Sequence, residues 1–127
     1  MPVVALHHVQ LAMPAGAEES ARAFYAGVLG MQEVAKPEHL RTRGGCWFRI
    51  SASMQLHLGV EEPFRPATKA HPALEVTDLQ AARAAIAAGG HTVIEDTQLE
   101  GYDRFYTADP FGNRVEILAR AVSFRRR

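Results

Sequence analysis

One cysteine, Cys46, stands among the 127 residues. No intramolecular disulfide can form, so a disulfide-stapled scaffold is excluded and a reducing compartment fits. Neither sign of charge is in excess: 14 Lys and Arg face 14 Asp and Glu, a formal net charge of zero. A general nucleic-acid binder draws its affinity from neutralising phosphates, so that class is excluded too. No apolar run approaches the length of a membrane span. The N-terminal stretch lacks a basic leader followed by a continuous apolar segment, so no signal peptide is expected, and a cytoplasmic location is. The basic end Arg125-Arg126-Arg127 is local and is expected to be a solvated tail. What remains is a globular chain, 47% apolar, of the size of one domain (residues 1–127) with a substantial core.

What is present is a repeat, and repeats fix architecture. Leu6-His7-His8-Val9-Gln10-Leu11 opens one half and Ala70-His71-Pro72-Ala73-Leu74-Glu75-Val76 opens the other. The first module covers about residues 5–60 and the second about 70–119, joined at Glu61-Glu62-Pro63-Phe64-Arg65-Pro66. In the first, Leu6–Met13 alternates and predicts a strand. Ala17, Ala21, Phe24, Tyr25, Val28 and Leu29 form a helical apolar stripe over 17–29. Glu18 and Glu19 suit its first turn, and Gly30 its end. Strands are predicted at Gln32–Ala35, Cys46–Ser51 and Met54–Val60. In the second, a strand at His71–Val76 precedes a helix capped by Thr77 or Asp78 and stopped by Gly89-Gly90. Strands follow at His91–Glu95, Arg104–Ala108 and Arg114–Leu118, the last two joined by the turn Asp109-Pro110-Phe111-Gly112-Asn113. The pattern is β-α-β-β-β, twice.

Strand parity then sorts the side chains. Val9/Leu11/Met13, Leu56/Leu58, Leu74/Val76 and Val115/Ile117 form apolar sets that should face the helices. His8/Gln10, Gln55/His57, His71/Glu75 and Arg114/Glu116 lie on the opposite faces. These could be the solvated sides of antiparallel sheets. Histidine is an unusual choice for such a surface, and it recurs on the first strand of both halves. Two imidazoles and a carboxylate lining a shared cleft suit a divalent metal.

These residues carry a resemblance. His8-Val9-Gln10-Leu11, Phe24-Tyr25 with Leu29-Gly30, His71, and Asp109-Pro110-Phe111-Gly112-Asn113 leading to Val115-Glu116-Ile117 resemble the vicinal oxygen chelate superfamily. That superfamily is the group of glyoxalase I, bleomycin-resistance proteins and extradiol dioxygenases. The resemblance spans about residues 5–119 and implies an α+β fold of two paired β-α-β-β-β modules forming an open half-barrel cleft. It implies one divalent metal ion (Zn, Ni, Mn, Co or Fe) on His8, His71 and Glu116, with a fourth ligand on the fourth strand. Gln55 is the preferred match and His57 its rival. The spacing does not separate them: Gly30 to Gln55 is 25 positions, Gly30 to His57 is 27, and Gly90 to Glu116 is 26.

The implied activity is that of a metal-dependent lyase or isomerase of glyoxalase type. Its small substrate would chelate through neighbouring oxygens and react through an enediolate or oxyanion, with Glu116 as the catalytic proton carrier. A two-histidine, one-carboxylate set also serves Fe(II) dioxygenases and thiol transferases. From another class, a metal-free binding protein like the bleomycin-resistance members is the alternative. A homodimer is implied, with no nucleic-acid or membrane partner. Arg104 and Tyr106, on one face of the seventh strand, and Arg49 on the third are candidates to bind an anionic, planar substrate, or else mark an edge-strand surface. His7 is expected to pack on the helix side, and His39, Arg41 and Arg43 to lie in a solvated loop. Of Trp47 and Phe48 only one can face the cleft. Cys46 shows no sign of an activated thiolate.

Overall fold

The computed structural model describes residues 1–121, so the Arg125–Arg127 tail lies outside the described residues. The chain divides into two compact units, Met1–Pro66 and Ala67–Arg127.

The N-terminal unit contains β1 (His8–Met13), helix α1 (Glu18–Arg22) running into a π-helical turn (Ala23–Val28), and β2 (Gln32–Val34). A 3₁₀ helix (Glu38–Arg43), β3 (Cys46–Ser51) and β4 (Met54–Val60) follow. Its sheet has the order β1-β4-β3-β2, with β1 parallel to β4 and the other pairs antiparallel. The C-terminal unit repeats the plan. Strand β5 (Ala73–Glu75), helix α2 (Leu79–Ala88), β6 (Ile94–Glu95), β7 (Tyr102–Ala108) and β8 (Arg114–Arg120) form a sheet ordered β5-β8-β7-β6. Here β5 is parallel to β8. The repeated β-α-β-β-β order is therefore present in both units.

The apolar parity sets become the two cores. Met13, Leu56, Phe48, Phe24 and Tyr25 are fully enclosed in the first, and Ile86, Phe105, Val115 and Ile117 in the second. Burying a large apolar side chain contributes roughly 1.5–3 kcal/mol, which explains why this face fixes strand register. The first helix departs from the uniform α-helix expected. Leu29 N–H reaches back to Phe24 O at 2.9 Å, five residues earlier. A wider turn rotates less per residue, so the adjacent rings of Phe24 and Tyr25 both reach the core, in edge contact at 4.9 Å. Gly30, with φ +76°, ends the helix as expected.

The predicted loop over His39, Arg41 and Arg43 is a 3₁₀ helix instead. Gly44 and Gly45 after it both have positive φ, and a Cβ at position 45 would lie 2.1 Å from Leu58 O. Only glycine permits this approach of backbone to backbone. In the second unit the Asp78 side chain caps α2, accepting from Ala81 N–H at 3.1 Å.

The Asp109–Asn113 turn is built as its chemistry suggests. One Asp109 carboxylate oxygen accepts from the N–H groups of Phe111 and Asn113, both at 2.9 Å. The other accepts from Asn113 Nδ2 at 2.9 Å, while Asn113 Oδ1 accepts from Ala67 N–H at 2.9 Å. This buried network sets the start of β8. No helix among the described residues is long and apolar enough to cross a membrane.

Candidate functional site

Each unit gathers its own polar group. In the C-terminal unit β8 carries Glu116, whose side chain is only 5% exposed, an expensive place for a carboxylate without partners. Its partners are His71 and Arg104. His71 Nε2 lies 2.9 Å from Glu116 Oε1, and Arg104 Nη1 donates to Oε2 at 3.3 Å. Arg104 also donates to Tyr106 Oη at 3.1 Å and, through Nε, to Thr97 O at 2.8 Å. The ring of Tyr106 meets His71 edge-on at 5.3 Å.

The state of His71 follows from its other nitrogen. Nδ1 lies 2.8 Å from Lys69 O, and a carbonyl only accepts, so Nδ1 carries a proton. In neutral imidazole Nε2 is then a bare lone pair aimed at a carboxylate oxygen. Two acceptors at 2.9 Å repel unless a cation sits between them, either a proton on Nε2 or a metal ion. A backbone carbonyl holding the remote N–H is also how proteins orient a ligating histidine.

In the N-terminal unit the group is aromatic. The rings of Trp47 and His57 stack at 3.9 Å, 3° from parallel, and His57 stacks on His8 at 4.3 Å. His57 is buried, and its Nε2 is 2.9 Å from Gln55 Oε1. Burial, followed by the neighbouring His8, His7 and Lys36 charges, pushes its pKa down to about 4, so the imidazole is neutral at physiological pH. The polar face of this sheet is thus not simply solvated. Trp47 occupies it and Phe48 the core, one on each side as parity requires.

The ladders set the two fourth-strand candidates on different rungs. Gln55 pairs with His8 and donates its N–H to His7 O; Glu116 pairs with Ala73 and donates to Pro72 O. Gln55 and Glu116 each stand on the first rung of their ladder. Counted from the opening histidines, the match to Glu116 is instead His57, which pairs with Gln10 two residues after His8 as Glu116 pairs with Ala73 two residues after His71. The pairing offset is 47 positions in the first ladder, His8 to Gln55, and 43 in the second, Ala73 to Glu116.

The remaining expectations divide. His8, Gln55 and His57 are brought together in one unit, and His71, Glu116, Arg104 and Tyr106 in the other. Arg49 is exposed, paired in register with Gln55 and Gln32. Arg104 and Tyr106 are not an edge-strand surface: β7 runs between β8 and β6, and both side chains are largely buried. His7 is a correction. It precedes β1, is exposed and contacts His8 Nδ1 at 2.9 Å, because the strand begins two residues later than its alternation suggests. Among the described residues, no three His, Cys, Asp or Glu side chains are grouped as a metal centre. Cys46 is buried, and desolvation pushes its thiol up to about 11, which removes it as a nucleophile. Sequence reasoning missed the Trp47–His57–His8 stack: parity set Trp47 and Phe48 on opposite faces without deciding which of them joins the histidines. It also missed Thr97, Gln98 and Lys69, which act through backbone carbonyls or from irregular segments that leave no periodic signal. Gln98 Oε1 accepts from Arg104 N–H.

Comparison with known proteins places this architecture. The Glyoxalase/Bleomycin resistance protein/Dioxygenase superfamily profile matches residues 5–117, and the chain belongs to that superfamily. A crystal structure of a Bacillus anthracis protein assigned to the glyoxalase family is 43% identical, covering 95% of this chain and 98% of that one, with TM-score 0.89. A glyoxalase/dioxygenase from Nostoc punctiforme is 19% identical over 95% and 98% of the two chains, with TM-score 0.74. FosX, a fosfomycin resistance protein from Listeria monocytogenes, is 16% identical over 98% and 99%, with TM-score 0.72. These last two share the fold. A comparison with curated protein sequences finds no match.

Proposed function

We propose that this protein is a metal-dependent enzyme of glyoxalase type, a lyase or isomerase acting on a small substrate with two neighbouring oxygens. The observation that carries the reading is the His71–Glu116 pair, a buried carboxylate oxygen 2.9 Å from an Nε2 whose ring is already oriented by Lys69 O. This donor set fits a divalent cation of the zinc, nickel, manganese, cobalt or iron kind. His71 and Glu116 would hold it, with His8 and Gln55 supplied by an N-terminal unit of the same subunit or of a second copy in a homodimer. Gln55 is preferred to His57 because it stands on the first rung of its parallel ladder, as Glu116 does on the first of its own. His57 is also committed, stacked on both ring faces with Nε2 against Gln55.

Bound there, a divalent ion supplies Lewis-acid polarisation of the substrate oxygens. The protein supplies the rest. Glu116 is the proton carrier, and Arg104 secures Oε2 so that Oε1 faces the reacting centre. Arg104 is in turn fixed by Thr97 O and Tyr106 Oη. This assigns Arg104 and Tyr106 to holding Glu116 as much as to contacting substrate, whereas exposed Arg49 remains a substrate contact. Cytoplasmic residence fits the lone cysteine. The same ligand set with iron would run dioxygenase chemistry, and with a thiol co-substrate transferase chemistry.

A second reading, a metal-free small-molecule binder of bleomycin-resistance type, is favoured by the lack of a three-residue metal grouping among the described residues. Metal analysis of protein purified without chelator or added metal, with paired thermal melts with and without chelator, separates the two. A stoichiometric divalent ion and a chelator-sensitive midpoint are expected. No metal and superimposable melts would refute the enzyme reading in favour of the binder.

A further inference from the structure

The polar face of the N-terminal sheet bears a cavity of about 260 Å³, lined in part by Gln10, Lys36, Leu40, Arg43, Trp47 and Gly59. A water molecule takes roughly 30 Å³, so the space equals roughly nine waters and admits a polyatomic ion. Two of its walls are cations, and no carboxylate is among the lining residues. The Glu18 carboxylate close to Gly44 is already engaged, accepting from Gly45 N–H at 2.8 Å.

The walls are preset. Lys36 is half-buried, and its ammonium is fixed by donating to Gly44 O, which leaves its other N–H bonds to be directed elsewhere. Arg43 is carried by the 3₁₀ helix, which Arg41 ties back by donating from Nε to Lys36 O at 3.2 Å. Trp47 is held flat by its stack on His57. The Gln10 amide lies across Gly59, where a Cβ would come within 2.6 Å of its Nε2. A glycine here is what lets that amide lie against the strand. Two cations, of which Lys36 is held by a backbone carbonyl, with an amide donor and an aromatic platform and no counter-charge in the lining, form a concavity for a negative ligand.

We propose that this cavity is an oxyanion subsite, taking the carboxylate or phosphoryl end of a small molecule. Gln10 lies two residues after His8 on the same face of β1, a step of about 7 Å. An anchored ligand would thus carry its chelating oxygens about one such step from its charged end. That the anchored molecule is the substrate rests on the metal-site reading above; anion binding by the cavity does not.

Trp47 is the only tryptophan in the chain, so its emission reports directly on this cavity. Metal-stripped protein is titrated with inorganic phosphate, and separately with acetate, at constant ionic strength set by chloride. Saturable change with phosphate assigns a phosphoryl end, with acetate a carboxylate end, and either supports the subsite. Arg43→Gln and Lys36→Met should each weaken binding about tenfold, the value of one charge-assisted contact, with unchanged circular dichroism. If Lys36→Met does not fold, exposed Arg43 still decides. No saturable change with either anion, or an equal response in Arg43→Gln, overturns the proposal. Metal content is measured on the same preparation before stripping. Metal without anion response rejects only the subsite; anion response without metal rejects only the metalloenzyme reading.

Discussion

Replacing Glu116 by glutamine separates a poised ligand from a structural ion pair. The amide keeps the shape and can satisfy both existing partners. Its NH₂ can donate to the His71 Nε2 lone pair, and its oxygen can accept from Arg104 Nη1, now 2.9 and 3.3 Å from the carboxylate oxygens. What is lost is the charge opposite a guanidinium whose side chain is 14% exposed. A hydrogen bond to a charged group contributes about 1.5–3 kcal/mol and a neutral one about 1, so the cost without metal should be about 1–2 kcal/mol. For a chain of this length that is a midpoint fall of roughly 3–8 °C. Glu116→Ala instead strands Arg104 and should cost about 3–5 kcal/mol. Metal binding should weaken in both variants. Losing an orienting group alone costs about 10–100-fold in affinity, and losing a charged ligand should cost at least the upper end. The assay is urea unfolding of metal-stripped wild type and both variants, with calorimetric titration of Zn²⁺, Mn²⁺ and Co²⁺ into each. Equal metal affinity in wild type and Glu116→Gln would refute the ligand role. A Glu116→Gln loss as large as that of Glu116→Ala, in metal-free protein, would show the carboxylate to be a structural counter-ion instead.

Asn113→Ala removes an acceptor from Ala67 N–H and a donor to Asp109 and should cost about 2–4 kcal/mol by urea unfolding; a loss below about 1 kcal/mol, the worth of one ordinary hydrogen bond, would show that this network does not set the start of β8. The Glu18 carboxyl is held below its ordinary value chiefly by the Gly45 N–H, so its stabilisation is complete above the unfolded carboxyl pKa and is lost as pH falls through the lower folded one. Glu18→Gln should therefore destabilise by no more than about 1 kcal/mol at neutral pH, with the difference from wild type shrinking in acid; a gap that widens on acidification would contradict the assignment. Cys46 should resist iodoacetamide in native protein at neutral pH and react promptly in urea, as followed by mass spectrometry; stoichiometric native labelling would contradict its burial.

The sequence made the two cores legible because burial imposes a period, and the periods here are clean. Leu56, Leu58, Val115 and Ile117 fell where alternation placed them, and β3 and β4 run from Cys46 to Ser51 and Met54 to Val60 as predicted. The misses lie where the chain answers to something other than period. The π-helical turn arises because two adjacent rings both enter one core, a demand that a helical stripe does not display. The 3₁₀ helix over Glu38–Arg43 carries no buried residue, so no apolar signal could announce it. Its basic residues looked like a solvated loop. Only the backbone contacts of Lys36, Gly44 and Gly45 show that the segment is anchored beside Trp47. The fourth-strand ambiguity had a different origin. Gln55 and His57 share parity, and spacing from a glycine is blind to a two-residue difference at the other end of the strand pair. The parallel ladder sets them on different rungs, Gln55 beside His8 and His57 beside Gln10.

The rungs also expose what the repeat has kept and what it has changed. Gln55 and Glu116 each stand on the first rung beside the opening strand of their unit. A neutral amide stands in one and a carboxylate in the other, and their surroundings differ accordingly. Glu116 is flanked by the Arg104 guanidinium and the His71 imidazole. Gln55 is flanked by His57, kept neutral by burial beneath two stacked rings. A second carboxylate at Gln55 would meet no guanidinium on its own rung partner His8 and only exposed Arg49 on the other side. The expected outcome for Gln55→Glu is therefore asymmetric: a carboxylate with little charge support in metal-free protein, but tighter divalent binding if Gln55 does face the metal. Calorimetric titration of Zn²⁺ into Gln55→Glu and His57→Glu measures this. An affinity gain confined to Gln55→Glu would assign the fourth position to that rung, whereas a gain confined to His57→Glu would refute it.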